Sequence, residues 1–251
     1  MNGRLLWLPS CGSTNDEARA VWDDPGIAAV ATEVQTAGRG RRGHTWFSPP
    51  GCGLYFTWIV RTPLPPAHAG VLPLLAGVVT AQFCERRGVH PSLKWPNDLL
   101  LSGRKLAGIL CESRVQGPHL QALVGIGLNL RRPAEGYPPG VPGIALETPL
   151  AAPRVAAELL DALEQGLSGL FTRPGDDPFA ALLPAWRARA LPVGTPMRVG
   201  EHVGTYADLA ADGALLLDTA AGRVRIDAGE VELVSGGSPD RSALDAPGSR
   251  S

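Results

Sequence analysis

The chain has 251 residues, enough for one large domain, or for a domain with a small appendage, and for a sizeable buried core. Hydrophobic residues make up 44% and charged residues 19%, a composition typical of a soluble globular protein. The formal net charge of −1 excludes a global electrostatic attraction to nucleic acid or to membranes, so any functional basic character is local.

Cysteine and histidine spacing argues against a metal centre. The chain has four cysteines, Cys11, Cys52, Cys84 and Cys111, with no C-x-x-C pair, and its five histidines form no ligand-like spacing with them. We therefore expect no zinc site and a reducing compartment. No signal sequence and no uninterrupted run of about 18 apolar residues is present, which predicts a cytoplasmic protein without a membrane partner.

The first elements are a short strand at Leu5–Leu8 and a helix that follows it. Thr14 and Glu17 stand in capping-box spacing at the start of this helix, which is one explanation of the threonine. Capping does not explain Ser13 or Asn15. Three small polar side chains at a strand-to-helix junction also suit the binding of a neutral polar head group, so both interpretations of Thr14 stay open.

A glycine- and arginine-rich loop, TAGRGRRGHTWFS at 36–48, lies between strand-like runs at Ile27–Gln35 and Gly53–Val60. Glycine lets a backbone approach a ligand closely, and guanidinium groups bind phosphate or carboxylate oxygens in pairs. The loop therefore predicts an anion-binding site, with a solvated charged turn as the alternative. Gly38, Gly40 and Gly43 also match G-x-G-x-x-G, but the sequence that follows, HTWFSPPGCG, does not allow the helix that a dinucleotide fold requires.

Beyond the loop, helical periodicity over Ala67–Arg87 predicts a core helix that stops at Gly88. Two strands joined by a turn at Ser102-Gly103 come next, and this hairpin brings Asn97, Asp98 and Lys105 towards one face. An Asn-Asp pair suits a metal-bound phosphate, and a lysine in an apolar strand suits a ligand. A plain turn and an edge-strand lysine are the respective alternatives.

The remaining chain completes one domain and adds a second. A buried strand at Ala122–Leu130 carries two glycines, a sign of close approach by a ligand. An irregular stretch at 131–149 and two helices, Val155–Phe171 and Phe179–Arg189, follow. Short strands at 196–199, 203–209, 214–218, 223–227 and 231–234 then predict a small SH3-like β-barrel. We predict domains at 1–190 and 191–235 and a disordered tail at 236–251.

Four motifs together resemble the biotin protein ligase (biotin–[acetyl-CoA-carboxylase] ligase) family. They are GSTN at 12–15, TEVQTAGRGRRGHTW at 32–46, KWPNDLLLSGRKLAGILCE at 94–112 and GIGLNL at 125–130. The resemblance covers the chain from about residue 4 to residue 234. It implies an α+β protein, with a class II synthetase-like mixed sheet flanked by helices and an SH3-like barrel after it.

The resemblance also implies the reaction and the residues that perform it. Such enzymes use ATP and Mg²⁺ to activate biotin as biotinyl-5′-AMP, and they transfer biotin to one lysine of a carrier domain. Lys105 and Arg41 would be catalytic, and Mg²⁺ would arrive with ATP. The biotin site would comprise Ser13, Thr14, Gln35, Gly38, Arg39, Arg41, Lys105, Gly108, Ile109 and Gly125. The ATP and adenylate site would comprise Arg41, Arg42, His44, Trp46, Lys94, Asn97, Asp98 and Asn129.

The implied partner is the biotin carboxyl carrier domain of acetyl-CoA carboxylase or of a related carboxylase, and a homodimer is compatible with the resemblance. Because the catalytic motifs begin near the N-terminus, no room is left for a helix-turn-helix, and we expect no nucleic-acid partner. His44 stands where the family most often has arginine, which replaces a fixed charge with one that titrates near neutral pH. We also expect the loop at 36–48 to be disordered without ligand.

Two other functions remain as alternatives. A lipoate or octanoate ligase would share the catalytic fold, but Ser13, Thr14 and Gln35 favour a ureido head over a dithiolane or an alkyl chain. A regulator that binds biotinyl-adenylate without turnover would not need Lys105 together with the complete arginine loop.

Overall fold

The computed structural model describes residues 3–116, 119–171 and 175–234; the predicted disordered tail lies outside this range. Its larger sheet has seven strands in the order β1-β2-β3-β7-β6-β5-β4. Only the β1–β2 pair among these neighbours is parallel, so the sheet is mixed, as predicted. The strands are β1 Arg4–Trp7, β2 Ile27–Thr32, β3 Gly53–Leu64, β4 Ser92–Lys94, β5 Asp98–Leu101, β6 Arg104–Gln116 and β7 His119–Asn129.

Helices cover the two faces of this sheet unequally. They are α1 Thr14–Ala20, α2 Val71–Glu85, α3 Ala152–Leu170 and α4 Pro178–Arg187. Side chains alternate along a strand, so Phe56 and Trp58 of β3 join the main core under α2 and α3, while Ile59 joins a small cluster with α1. Among the helices of the described residues, only α1 covers the second face, and much of that face is left for a site.

One segment, Pro66–Glu85, is long and apolar enough to cross a membrane, but 67% of its most apolar window is buried inside the fold. This segment contains α2, which ends before Gly88. The φ of Gly88 is +75°, the left-handed conformation that glycine adopts after a helix. The segment is therefore the predicted core helix.

The C-terminal strands form a second sheet, which is antiparallel and has the order β11-β10-β9-β8-β12. Its strands are β8 Pro196–Val199, β9 His202–Leu209, β10 Leu215–Thr219, β11 Gly222–Ile226 and β12 Val231–Leu233, each within about one residue of the sequence prediction. The Trp95 indole donates a hydrogen bond to the Gly213 carbonyl at 3.0 Å. This bond holds the β4–β5 turn against the second sheet, and the contact between the Trp186 and Tyr206 rings holds α4 against it.

The start of α1 and the segment after Gly43 decide two local predictions. The capping-box interpretation of Thr14 is wrong, because Ser13 is the N-cap residue and Thr14 is the first residue of α1. The Thr14 hydroxyl instead contacts Thr57 and Gln35. The exclusion of a dinucleotide fold is confirmed, since extended chain and β3 follow Gly43 in place of a helix.

Candidate active site

A cavity of about 250 Å³ opens on the face of the large sheet that carries α1. Its lining comes from the start of α1, the loop at 36–48, strands β6 and β7, and residues 230–231 of the second sheet. At one end lie Ser13, Thr14 and Gln35, which we call the polar end. At the other lie Arg41, Lys94, Asp98 and Lys105, which we call the cationic end.

The polar end is buried and already hydrogen-bonded. Ser13, Thr14 and Gln35 are 4%, 4% and 9% exposed. A backbone bridge between Cys11 and Gln35 brings the glutamine to the start of α1, where its Oε1 accepts a hydrogen bond from the Thr14 amide at 3.0 Å. The group is neutral, which suits a ligand that is polar without being charged.

Glycines on the central strands let Trp46 lie against the sheet. A Cβ added at Gly108 would come within 2.7 Å of the Trp46 ring, and one added at Gly127 within 2.6 Å. The Trp46 indole nitrogen is buried and has no hydrogen-bond partner among the described residues. A Cβ at Gly125 would instead collide with Asn15. The absence of a side chain at these glycines therefore leaves room for Trp46 at Gly108 and Gly127 and for Asn15 at Gly125.

Lys105 reaches the cationic end because of an irregularity in its strand. The pairing of β5 with β6 shifts register between Leu99 and Leu100, and Leu106 and Ala107 both enter the core. Lys105 thus lies on the same face as Gly108, and its Cε would be 3.0 Å from a Cβ placed there. Its ammonium group lies 2.7 Å from Asp98 Oδ1 and 5.2 Å from the centre of a Trp46 ring.

Three cations meet around one carboxylate at the cationic end. Lys94 Nζ lies 3.0 Å from Asp98 Oδ2, and Arg41 donates to Asn97 Oδ1 at 3.4 Å. Burial, and after it the neighbouring charge of Arg42, lower the pKa of Arg41. An excess of positive charge in a partly buried cleft favours the binding of anions.

The second sheet completes the cationic end, a feature that the sequence did not reveal. Arg41 Nη1 donates to the Gly229 carbonyl at 2.8 Å, and Lys94 Nζ donates to the Val231 carbonyl at 2.9 Å. His44, on the loop, lies 3.7 Å from Glu230. The segment from Gly229 to Val231 therefore contacts both the loop and β4, the strand that pairs with β5.

Some residues predicted for the site lie at its margin. The Arg39 guanidinium points to Asp16, 2.7 Å away on α1, although Arg39 borders the cavity. Gly38 packs beside the Gln35 amide. Ile109 also borders the cavity, while its Cδ1 lies 3.6 Å from a Cβ placed on Gly77 of α2.

Two of the predicted adenylate residues have side chains directed elsewhere. Arg42 is exposed, has a φ of +52°, and lines a second cavity on the C-terminal sheet. The Asn129 amide donates to the carbonyls of Lys105 and Ile144 at 3.1 and 3.0 Å, and so holds the backbone of Lys105. The sequence placed Asn15 among the side chains that suit a polar head group, but its amide is bonded to Glu112 and Thr57; Thr57, which lies behind the polar end, was missed. A threonine at an alternate position of a buried strand was the available signal.

Within the part of the chain that the structure describes, no group of three or more His, Cys, Asp or Glu residues could hold a metal ion. Asp98 is instead paired with Lys94 and Lys105. The cavity therefore joins a neutral polar pocket to a cationic anion site, an arrangement that fits a substrate with a polar head and a charged tail beside a phosphate.

Comparison with known protein families identifies the class of protein. Residues 10–129 match the Biotin/lipoate A/B protein ligase family, and residues 197–234 match the Biotin protein ligase C terminal domain. The two matches fall on the large sheet and on the C-terminal sheet.

Similar proteins identify the family more closely. A biotin–[acetyl-CoA-carboxylase] ligase of Paracoccus denitrificans is 35% identical over 89% of this chain and 98% of its own. The bifunctional ligase/repressor BirA of Bacillus subtilis is 31% identical over 93% of this chain and 75% of its own. A mutant biotin protein ligase from Aquifex aeolicus in complex with biotin has a TM-score of 0.74 at 25% identity, over 94% of this chain and 100% of that one. The chain belongs to the biotin protein ligase family, which confirms the resemblance carried by its four motifs.

Proposed function

We propose that the protein uses MgATP to convert biotin into biotinyl-5′-AMP and then transfers biotin to a lysine of a biotin carboxyl carrier domain. The main support for this proposal is the cavity, in which a glycine-lined floor joins a neutral polar end to a cationic end. Biotin has the same two features, a neutral ureido head and a carboxylate tail. The polar end takes the head, and the tail lies towards Arg41 and Lys105.

In the first step a biotin carboxylate oxygen attacks the α-phosphorus of ATP. A carbon–oxygen–phosphorus linkage forms, and the bond from the α-phosphorus to the leaving pyrophosphate breaks. Two anions must approach each other, so catalysis consists mainly of charge neutralisation and positioning. Lys105 and Arg41 supply that charge, Lys94, Asn97 and Asp98 serve the triphosphate with its Mg²⁺, and Trp46 offers its unpaired indole N–H to the adenylate.

In the second step the amine of the carrier lysine attacks the biotinyl carbonyl. An amide forms, AMP leaves with the electrons of the anhydride bond, and the proton that the amine loses passes to solvent water. Lys105 neutralises the phosphate of the departing AMP. No histidine is required as a base, because a mixed anhydride is already an activated acyl donor.

Several finer points are part of the same proposal. We place the domain boundary at 190/191, the protein in the cytoplasm, and the carrier at an edge of the large sheet, where its own edge strand pairs. Arg42 reaches the adenylate only if the loop at 36–48 rearranges on binding, which agrees with the expectation that ligand orders this loop.

The test measures radiolabelled biotin transferred to a purified carrier domain with MgATP, in the presence and absence of excess lipoate. Lys105→Ala is compared with Arg104→Ala, which removes the neighbouring exposed cation. We expect labelling by the wild type that lipoate does not inhibit. We expect a loss of about 10²- to 10³-fold in kcat for Lys105→Ala, and a change within about twofold for Arg104→Ala.

Each negative result has a distinct meaning. Biotin binding without labelling by the wild type would replace turnover with the regulator alternative. Labelling that lipoate suppresses, or the absence of biotin binding, would return the assignment to the other acyl ligases. Equal losses in both variants would remove Lys105 from its catalytic role while leaving the ligase assignment in place.

A further inference from the structure

Behind the polar end, a line of hydrogen bonds leads from the cavity to the carboxylate of Glu112 on β6. Glu112 Oε2 accepts from the Asn15 amide at 3.0 Å. At its other end Asn15 Oδ1 accepts from the Thr57 hydroxyl at 2.7 Å, and the Thr57 and Thr14 hydroxyl oxygens lie 2.8 Å apart. Thr57 is 0% exposed and Asn15 is 3% exposed, so water does not share these bonds.

The direction of every bond in this line follows from its carboxylate end. A carboxylate only accepts, so Asn15 must turn its NH₂ group towards Glu112 and its oxygen towards Thr57. The single proton of the Thr57 hydroxyl then goes to Asn15. The short contact between the two hydroxyls needs a proton of its own, and only Thr14 can supply it. The Thr14 hydroxyl therefore donates to Thr57 at 2.8 Å in preference to Gln35 Oε1, which lies 3.4 Å away, and its oxygen is left to accept from a ligand.

Gln35 is oriented by a separate bond. Its Oε1 accepts from the Thr14 backbone amide, so its NH₂ group is the free end. That group lies beside Gly38, where a Cβ would come within 2.6 Å of Gln35 Nε2. The polar end thus presents an acceptor on Thr14 and a donor on Gln35. A ureido group offers N–H donors and a carbonyl acceptor, which is the matching set.

We propose that Glu112 is a positioning residue: acting through Asn15 and Thr57, it fixes the hydrogen-bond polarity of the pocket and so selects a ureido head group. This inference rests on the proposed function and adds to it a source of substrate specificity outside the cavity. Arg19 holds the Glu112 carboxylate from the solvent side at 2.7 Å, and Arg39 lies 3.7 Å from it. Gly125 belongs to the same device, because any Cβ there would displace Asn15.

Thr57→Val tests the line at its centre. Valine has the shape of threonine without the hydroxyl, so Asn15 Oδ1 loses its donor and the Thr14 proton loses its fixed acceptor. We expect the KM for biotin to rise about 10- to 100-fold, the penalty for one unpaired buried polar group. The kcat at saturating biotin and the KM for ATP stay within about twofold of the wild type. Thr80→Val is the control for loss of a buried hydroxyl, since Thr80 of α2 is 0% exposed and does not line the cavity.

Glu112 variants test the polarity argument at the surface end of the line, where folding is less at risk. Glu112→Leu removes the acceptor, and we expect a rise of about tenfold in the biotin KM. Glu112→Gln keeps an acceptor oxygen but abolishes the ion pairs with Arg19 and Arg39. We expect near wild-type biotin KM in this variant, because the line needs an acceptor and not a charge.

Three results would overturn the inference. A biotin KM unchanged in Thr57→Val, while the wild type labels the carrier, would remove it and leave the proposed function intact. Parallel losses in the KM values for biotin and ATP would show that Thr57 only supports the fold. A wild type that binds no biotin would remove the proposed function and the inference together.

Discussion

Substitution of Gly127 by alanine isolates the contact between the loop and the sheet. Gly127 lies in a regular part of β7, paired with Tyr55 and Gly108, and its backbone is not left-handed. An added Cβ would lie 2.6 Å from Trp46 Cε2 and 2.9 Å from its Nε1. Ordinary contacts between carbon atoms are about 3.5–4.0 Å, so the ring must move by about 1 Å.

Movement of the Trp46 ring affects the loop at 36–48 more than the sheet. Overpacking of this size costs about 1–3 kcal/mol. The Trp46 amide also donates to the Gly38 carbonyl at 2.9 Å, so a displaced ring moves the glycine-rich segment with it. The loop can yield towards solvent while the sheet stays folded. We therefore expect this free energy to be lost from ligand binding and not from folding. The KM for ATP should rise about 5- to 150-fold, and Tm should change little.

The assay is carrier labelling at varied ATP and saturating biotin, with thermal unfolding in parallel. Gly169→Ala serves as the control, since Gly169 is helical and a Cβ there meets nothing within 4 Å. That variant keeps the wild-type KM and gains about 0.5–1 kcal/mol of stability from the helical alanine. A wild-type KM for ATP in Gly127→Ala would refute the stacking of Trp46 on the sheet as the catalytically relevant arrangement.

Other predictions concern stability and reactivity. Hydrogen bonds from Arg154 and then Arg87 lower the pKa of Glu158, so its contribution to stability is present above the ordinary carboxyl value and lost as pH falls through the folded-state pKa. Glu158→Gln should therefore lower Tm at pH 7, by an amount that corresponds to less than about 1 kcal/mol of stability. Below about pH 3 the same substitution should leave Tm unchanged. An equal effect at both pH values would contradict this prediction. Burial raises the pKa of Cys84 and Cys111 to about 12. Cys84 is also 0% exposed. Iodoacetamide at pH 8 should leave the Cys84 thiol unmodified in the native protein and alkylate it in urea, as mass spectrometry would show; native alkylation of Cys84 would count against its burial.

The sequence was sufficient wherever a local rule decides the structure. The turn at Ser102-Gly103 is an example, because both residues adopt positive φ, 50° and 72°, as a two-residue hairpin requires. The short strands of the second sheet were found in the same way from their glycine and aspartate breaks. The face on which Lys105 lies was inferred correctly, but the register shift that puts it there was not visible. A bulge depends on how the partner strand pairs, and no pattern within β6 records that pairing.

The roles of Thr14 and Asn15 needed three-dimensional contacts for a related reason. Capping spacing and ligand binding place the same residue types at a helix start, so sequence cannot separate them. What separates them is Thr57 of β3, which is 43 residues from Thr14 along the chain and within hydrogen-bond distance of it in the folded protein. A hydroxyl takes its direction from its partners, and those partners come from three different elements.

The contacts between the second sheet and the active site could not be predicted from the sequence. Arg41 and Lys94 donate to the main-chain carbonyls of Gly229 and Val231, and every residue type carries that group. A functional contact made by a main-chain carbonyl therefore cannot be recognised from the type of residue that makes it. Its presence depends on how the two sheets dock, through the Trp95 bond to Gly213, more than 100 residues away. The anion site is thus assembled from both sheets, whereas all of the sequence motifs that predict it lie in the part of the chain that forms the first sheet.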